Sequence, residues 1–146
     1  MGVSTGLKTR PYYPNPKPDK RWKSDAYRKM VSMERCLWCG AAAPNEPHHI
    51  SWAGDRGWSQ KVHDYLTCPA CQRCHNAMHQ MVGPWFRSIT RKIGREEIKG
   101  EMVHLMWRWI MIQDPTIILV LSELEKVKSL DDMIEDMGEW MRGNCV

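Results

Sequence analysis

Hydrophobic positions change period several times along the 146-residue chain, and each change predicts an element. Between Ser24 and Glu34, Tyr27, Met30 and Val31 fall on one face at helical spacing behind Ser24 or Asp25 as a cap, which predicts a helix. Gly40 to Pro47 has no long apolar periodicity and holds Gly40, Pro44, Asn45 and Pro47. That composition predicts a turn flanked by two short strands, the second carrying His48 and His49. Trp52 to Trp58, with Gly54 and Gly57, reads as a loop. Cys74 to Met81 reads as a helix, and Trp85, Phe86, Ile89 and Ile93 continue helical spacing after Gly83-Pro84. Glu96 to Ile112 is a further helix with Ile98, Met102, Leu105, Met106, Trp109 and Ile110 on its apolar face. Asp114-Pro115 and Ser129 with Asp132 both read as helix starts, and the last helix repeats Leu130, Met133, Ile134, Met137, Trp140 and Met141. These Met and Trp stripes are first of all core, with a homodimer contact through the C-terminal helices as their other use.

Ahead of the first helix, Pro11, Pro14, Pro16 and Pro18 predict an extended arm, whose Lys8, Arg10, Lys17, Lys20 and Arg21 could touch a nucleic-acid backbone. Charge sharpens this division. The net formal charge is +6 over residues 1–35, zero over 36–79, +4 over 80–95 and −6 over 96–146. A neutral centre between basic segments is the layout of a site that holds a polyanion, while the acidic C-terminal part cannot lie on the same phosphates. The longest apolar run, Ile117 to Leu121, falls far below the roughly 20 residues of a membrane span. No apolar stretch follows a basic N-terminus, so the expectation is a soluble cytoplasmic protein, in the host cytoplasm if phage-encoded, with reduced thiols and no membrane partner.

Five of the six cysteines and five of the six histidines lie between Cys36 and His79. Two CxxC pairs about 30 residues apart have the spacing of a four-thiolate zinc site. Cys36, Cys39, Cys71 and Cys74 are assigned to it, and Zn2+ there contributes folding energy instead of catalysis. Cys68-x-x-Cys71 competes, but the later pair passes directly into the His75 helix. The histidines suggest a second centre. His75 and His79 share a helical face, and with His48 they supply three imidazoles for a divalent cation, Mg2+, Mn2+ or a transition metal, with positions left for a phosphate oxygen and the leaving 3′ oxygen. Adjacent strand residues face opposite ways, so His49 has a different task, taking a proton from the attacking water. His63, Asp64 or a backbone carbonyl of that loop would orient it.

Cys36-Leu-Trp-Cys39-Gly, Pro47-His48-His49-Ile50, and Cys71-Gln-Arg-Cys74-His75 with His79 resemble the first knuckle, hairpin histidines, second knuckle and metal helix of the HNH, or ββα-metal, nucleases. Within that superfamily the resemblance is closest to phage-type recombination nucleases that act with RecA. Their Gly-x-Lys-x-x-Asp segment is matched by Gly57 to Asp64 with two extra residues before Lys61, and Cys74 replaces a histidine of their Cys-x-x-His-His run. The resemblance spans about residues 20–95. It implies an α+β fold with a zinc-bound, treble-clef-like ββα-metal core, flanking helices and an all-helical C-terminal part. The corresponding divisions are an arm over 1–20, a nuclease domain over 21–95 and an acidic helical extension over 96–146. The implied activity is metal-dependent hydrolysis of DNA phosphodiesters in recombination or repair, with DNA and a RecA-type recombinase as partners. His49, His63 and Asp64 are the candidate catalytic residues, and Lys61, Arg73, Arg87, Arg91 and Lys92 the candidate DNA contacts. The alternative is a non-catalytic zinc-ribbon DNA-binding or adaptor protein, since paired histidines and CxxC knuckles also occur in inert fingers.

Overall fold

A computed structural model describes residues 20–54, 61–117 and 129–144. The fold is mixed α+β, with five α-helices and one two-stranded antiparallel sheet among these residues. Helix α1 spans Asp25–Ser32, and Ser24 caps it, its hydroxyl oxygen accepting from the Tyr27 N–H at 3.1 Å. Strand β1, Glu46–His49, pairs with β2, Thr67–Ala70, so that His48 lies opposite Cys68 and His49 opposite Thr67. This corrects the expectation of two strands flanking the turn over 40–47, because the partner of β1 comes from the later cysteine cluster. Every β2 position is buried, so β2 carries no alternation of apolar and polar residues to reveal it. A single 3-10 turn, Ser51–Ala53, occupies part of the stretch expected to be a loop.

Helix α2, Gln72–Gln80, follows β2 directly, with Cys71 as its cap. Gly83, at φ 99°, reverses the chain and Pro84 opens helix α3, Pro84–Lys92. Helix α4, Arg95–Gln113, begins where Glu97 accepts the Gly94 N–H at 3.0 Å. The helix expected from Asp114-Pro115 appears as a 3-10 turn, Pro115–Ile117, and its continuation lies outside the described residues, as do residues 1–19 and Cys145. Helix α5, Leu130–Asn144, starts with the Ser129 hydroxyl accepting from the Asp132 N–H at 3.2 Å.

One apolar core joins these elements. Tyr27 and Val31 of α1, Ile98, Met102, Leu105, Met106 and Ile110 of α4, and Met133, Ile134, Met137 and Met141 of α5 are all buried in it. Each such side chain is worth about 1.5–3 kcal/mol of burial. Trp22, Tyr27, Tyr65 and Trp109 form a chain of rings with centroids 5.5–5.7 Å apart, in edge-on or tilted contact. Gly138 lets α5 approach this chain, since a Cβ there would lie 2.9 Å from three atoms of Tyr65. Among the described residues no helix is long and apolar enough to cross a membrane.

Candidate metal centre and active site

Cys36 and Cys39 sit on a knuckle closed by two hydrogen bonds, Gly40 N–H to Cys36 O at 2.8 Å and Cys36 N–H to Ala41 O at 2.9 Å. Gly40 permits the turn by adopting φ 75°. The Leu37 N–H reaches Pro69 O of β2 at 2.9 Å, which fastens the knuckle to the sheet. Cys71 and Cys74 come from the first turn of α2, where the Cys71 sulfur accepts from the Cys74 N–H. All four sulfurs lie within 4.8 Å of one another, and Cys39 and Cys71 are 3.5 Å apart. The edge of a tetrahedron with zinc–sulfur bonds of about 2.3 Å is roughly 3.8 Å. These four cysteines are therefore placed to hold a metal ion such as zinc. Burial opposes ionisation of Cys36, but backbone groups of Cys71, Cys39 and Trp38 and the Cys39 thiol outweigh it and lower the pKa to about 7. Burial and the neighbouring sulfurs push Cys74 up. A cation relieves such repulsion. Cys68 stands apart, buried in β2 with its thiol directed at Ile98 O, 3.7 Å away.

The second ligand group is built from the same sheet and helix. His48 of β1 and His75 and His79 of α2 place one ring nitrogen each within 4.8 Å of the others. Their centroids are 4.7–5.3 Å apart, and the Nε2 atoms of His75 and His79 approach to 2.8 Å. The Nδ1 atom of His75 is engaged by the Glu46 carboxylate, leaving Nε2 directed at His79. A carboxylate on the outer nitrogen of a histidine fixes ring orientation and raises ligand basicity. Burial, reinforced by the other imidazoles, lowers the pKa of His48 to about 4, so it is neutral near pH 7. Its Nδ1 is buried with no hydrogen-bond partner among the described residues, which fits a nitrogen meant for an ion. Neutral imidazoles suit a divalent cation.

His49 takes up the opposite side of β1. Its Nε2 is 2.9 Å from Asp64 Oδ1 and 3.3 Å from an Arg21 nitrogen, so Nδ1 is the nitrogen left to accept a proton. Asp64 is fully buried and holds several partners at once. Arg21 donates to it at 2.8 Å, the Ser24 N–H at 2.9 Å, and Arg28 Nε lies 3.4 Å away. Burial alone would raise the carboxyl's pKa, but His49, the Ser24 N–H and Arg21 together bring it below its ordinary 3.8. The stability that this carboxylate contributes is thus complete above pH 3.8 and is lost as pH falls through the lower folded-state value. Burial is also the main influence on His49 and lowers its pKa, with Asp64 acting in the opposite direction.

Of the two side chains considered for orienting His49, Asp64 does so and His63 is engaged elsewhere. The Nδ1 atom of His63 accepts from the Trp22 N–H at 2.8 Å, and its ring stacks on Tyr65. Lys61 is exposed just before this segment. Arg73 is exposed on α2 with its guanidinium 3.7 Å over the Trp85 ring, while Arg87, Arg91 and Lys92 line a shallow exposed hollow on α3 with Pro84 and Ser88. Sequence reading misses Glu46, Arg21 and Arg28 as supports of the site. Strand alternation carries a signal for Glu46, two residues before His48 on the same face. No local pattern ties Arg21 or Arg28 to Asp64, about 40 positions away.

The family model described as Protein of unknown function (DUF968) matches residues 8–94, a span that includes both ligand groups and His49. The uncharacterized protein YdfU of Escherichia coli (strain K12) is 30% identical over 91 residues, which are 62% of this chain and 23% of that protein. The chain therefore spans about a quarter of the length of this curated relative. No solved structure matches it.

Proposed function

We propose that this chain, which belongs to the DUF968 family, is a metal-dependent DNA endonuclease with a ββα-metal core. The observation that carries the reading is the division of labour at one hairpin. His48, His75 and His79 converge at one side with Glu46 behind them, while the next residue, His49, faces away and is held by a buried carboxylate. Zinc at Cys36, Cys39, Cys71 and Cys74 would lock the knuckle, β2 and the first turn of α2 together. A divalent cation at the three histidines would supply Lewis-acid stabilisation of the phosphate and of the leaving 3′ oxygen. The remaining work falls to the chain's own groups. His49 Nδ1 takes the proton of a water as its oxygen attacks phosphorus and the P–O3′ bond breaks. Asp64, pinned by Arg21 and Ser24, keeps Nε2 occupied and steadies the imidazolium that forms. The deciding experiment is conversion of supercoiled plasmid to nicked or linear forms by the purified full chain with Mg2+, Mn2+ or Zn2+ added. Binding without cleavage under any of these metals would favour an inert zinc-ribbon protein.

Exposed Arg87, Arg91 and Lys92 on α3, with Lys61 and Arg73, bind DNA phosphates in this reading. Each cation that neutralises a phosphate releases a counterion, so affinity for DNA falls steeply with salt. Replacing Arg87, Arg91 and Lys92 should shrink the log–log salt slope by about one unit for every phosphate no longer neutralised. Affinity should drop equally on unrelated sequences, because such cations position the duplex without reading bases. Fluorescence anisotropy over a salt series measures both, and an unchanged slope in the triple variant removes α3 from the DNA surface.

A further inference from the structure

A cavity of about 590 Å³ opens between the Val62–Leu66 segment, the start of α4 and the face of α5. Its volume is in the range of small-ligand sites. Two guanidinium groups line it, Arg95 and Arg142, and neither is paired with a carboxylate among the described residues. Lys99, by contrast, is neutralised by Glu96 at 3.2 Å and Asp131 at 3.1 Å. Aromatic surface accompanies each guanidinium. Arg95 lies 4.6 Å over the Trp52 ring, and Arg142 donates to the Tyr65 hydroxyl, whose ring stacks on His63 with centroids 4.9 Å apart. Glu135 adds an acceptor to the same lining.

We infer that this cavity binds a mononucleotide. Guanidinium groups are matched to phosphate in charge and in forked geometry. The partly exposed Trp52 ring and the guanidinium plane of Arg95 offer surfaces on which a base stacks, and Glu135 can accept from a base amino group or a sugar hydroxyl. The volume exceeds what a bare phosphate needs. A continuous DNA strand is the poorer fit, because Glu135 would face one of its successive phosphates. The site is separate from His49, although Val62 joins the two by accepting Arg21 Nε at its carbonyl at 2.9 Å. Nucleotide binding here does not depend on DNA cleavage at His49.

Calorimetric titration of the full chain with deoxyadenosine monophosphate tests it, with inorganic phosphate and a single-stranded oligothymidylate titrated in parallel. The expected result is saturable nucleotide binding, stronger than that of phosphate, which Arg95→Gln and Arg142→Gln each weaken by about tenfold or more. Arg95 is exposed at the start of α4, so its variant stays informative even if Arg142→Gln disturbs the Tyr65 contact and the fold. Absence of nucleotide binding to the parent chain overturns the inference. So does binding that Arg95→Gln leaves unchanged, or tighter binding of the oligothymidylate that depends on the same arginines.

Discussion

Replacing His49 with alanine is expected to lower metal-dependent plasmid cleavage by about 10²–10⁴-fold, the usual contribution of a general base. Fold, metal content and DNA affinity should stay close to those of the parent, because His49 is only half-buried and contributes no atom to either ligand group. Asp64→Asn should reproduce part of the loss through a different route. It keeps the shape of the side chain but removes the charge that faces His49, Arg21 and the Ser24 N–H, so His49 loses its orientation and its stabilised imidazolium. Initial rates on supercoiled plasmid, with circular dichroism and metal analysis of each variant, give the comparison. Parental rates in His49→Ala would end the assignment of the base, whatever the fate of Asp64→Asn.

The largest structural effect is expected at the cysteines. Cys36→Ser and Cys71→Ser should each give insoluble or unfolded protein, because the four sulfurs tie the knuckle to β2 and α2 where the sheet has only two strands of four residues. Cys68→Ser should keep its metal. The Cys68 side chain points at Ile98 O on α4, away from the four-sulfur group, and a serine hydroxyl there can donate to the same carbonyl. Metal content per chain, by atomic emission on soluble protein, separates these outcomes. A Cys68→Ser protein that loses its metal beside a Cys74→Ser protein that retains it would reverse the ligand assignment.

What can be read from the chain alone follows from how locally each feature is encoded. CxxC pairs place two sulfurs on one knuckle, and His75 with His79 share a helical face by spacing alone, so these groups are visible without a fold. The alternation that sends His48 and His49 to different sides of a strand is equally local. Strand β2 stays hidden because Thr67–Ala70 is short, contains Pro69 and Cys68, and is buried throughout. The grip of Arg21 and Arg28 on Asp64 spans about 40 positions and exists only once α1 has docked. Glu46 escapes notice for another reason: beside a proline-rich turn, an acidic residue reads as solvated surface, and only the pairing of β1 with β2 brings it to His75.

The close approach of Gly138 to Tyr65 makes α5 a gauge for the site. A helix backbone pressed against a phenol ring fixes the height of the segment that carries that ring, and Asp64 is the next residue along it. Side chains on the acidic outer face of α5 are free of this constraint, whereas even one methyl group at position 138 must displace Tyr65 or lift the helix. The C-terminal helix thus bears on the candidate site through Tyr65, by the close approach of a residue with no side chain and by the Arg142 contact, while touching neither ligand group.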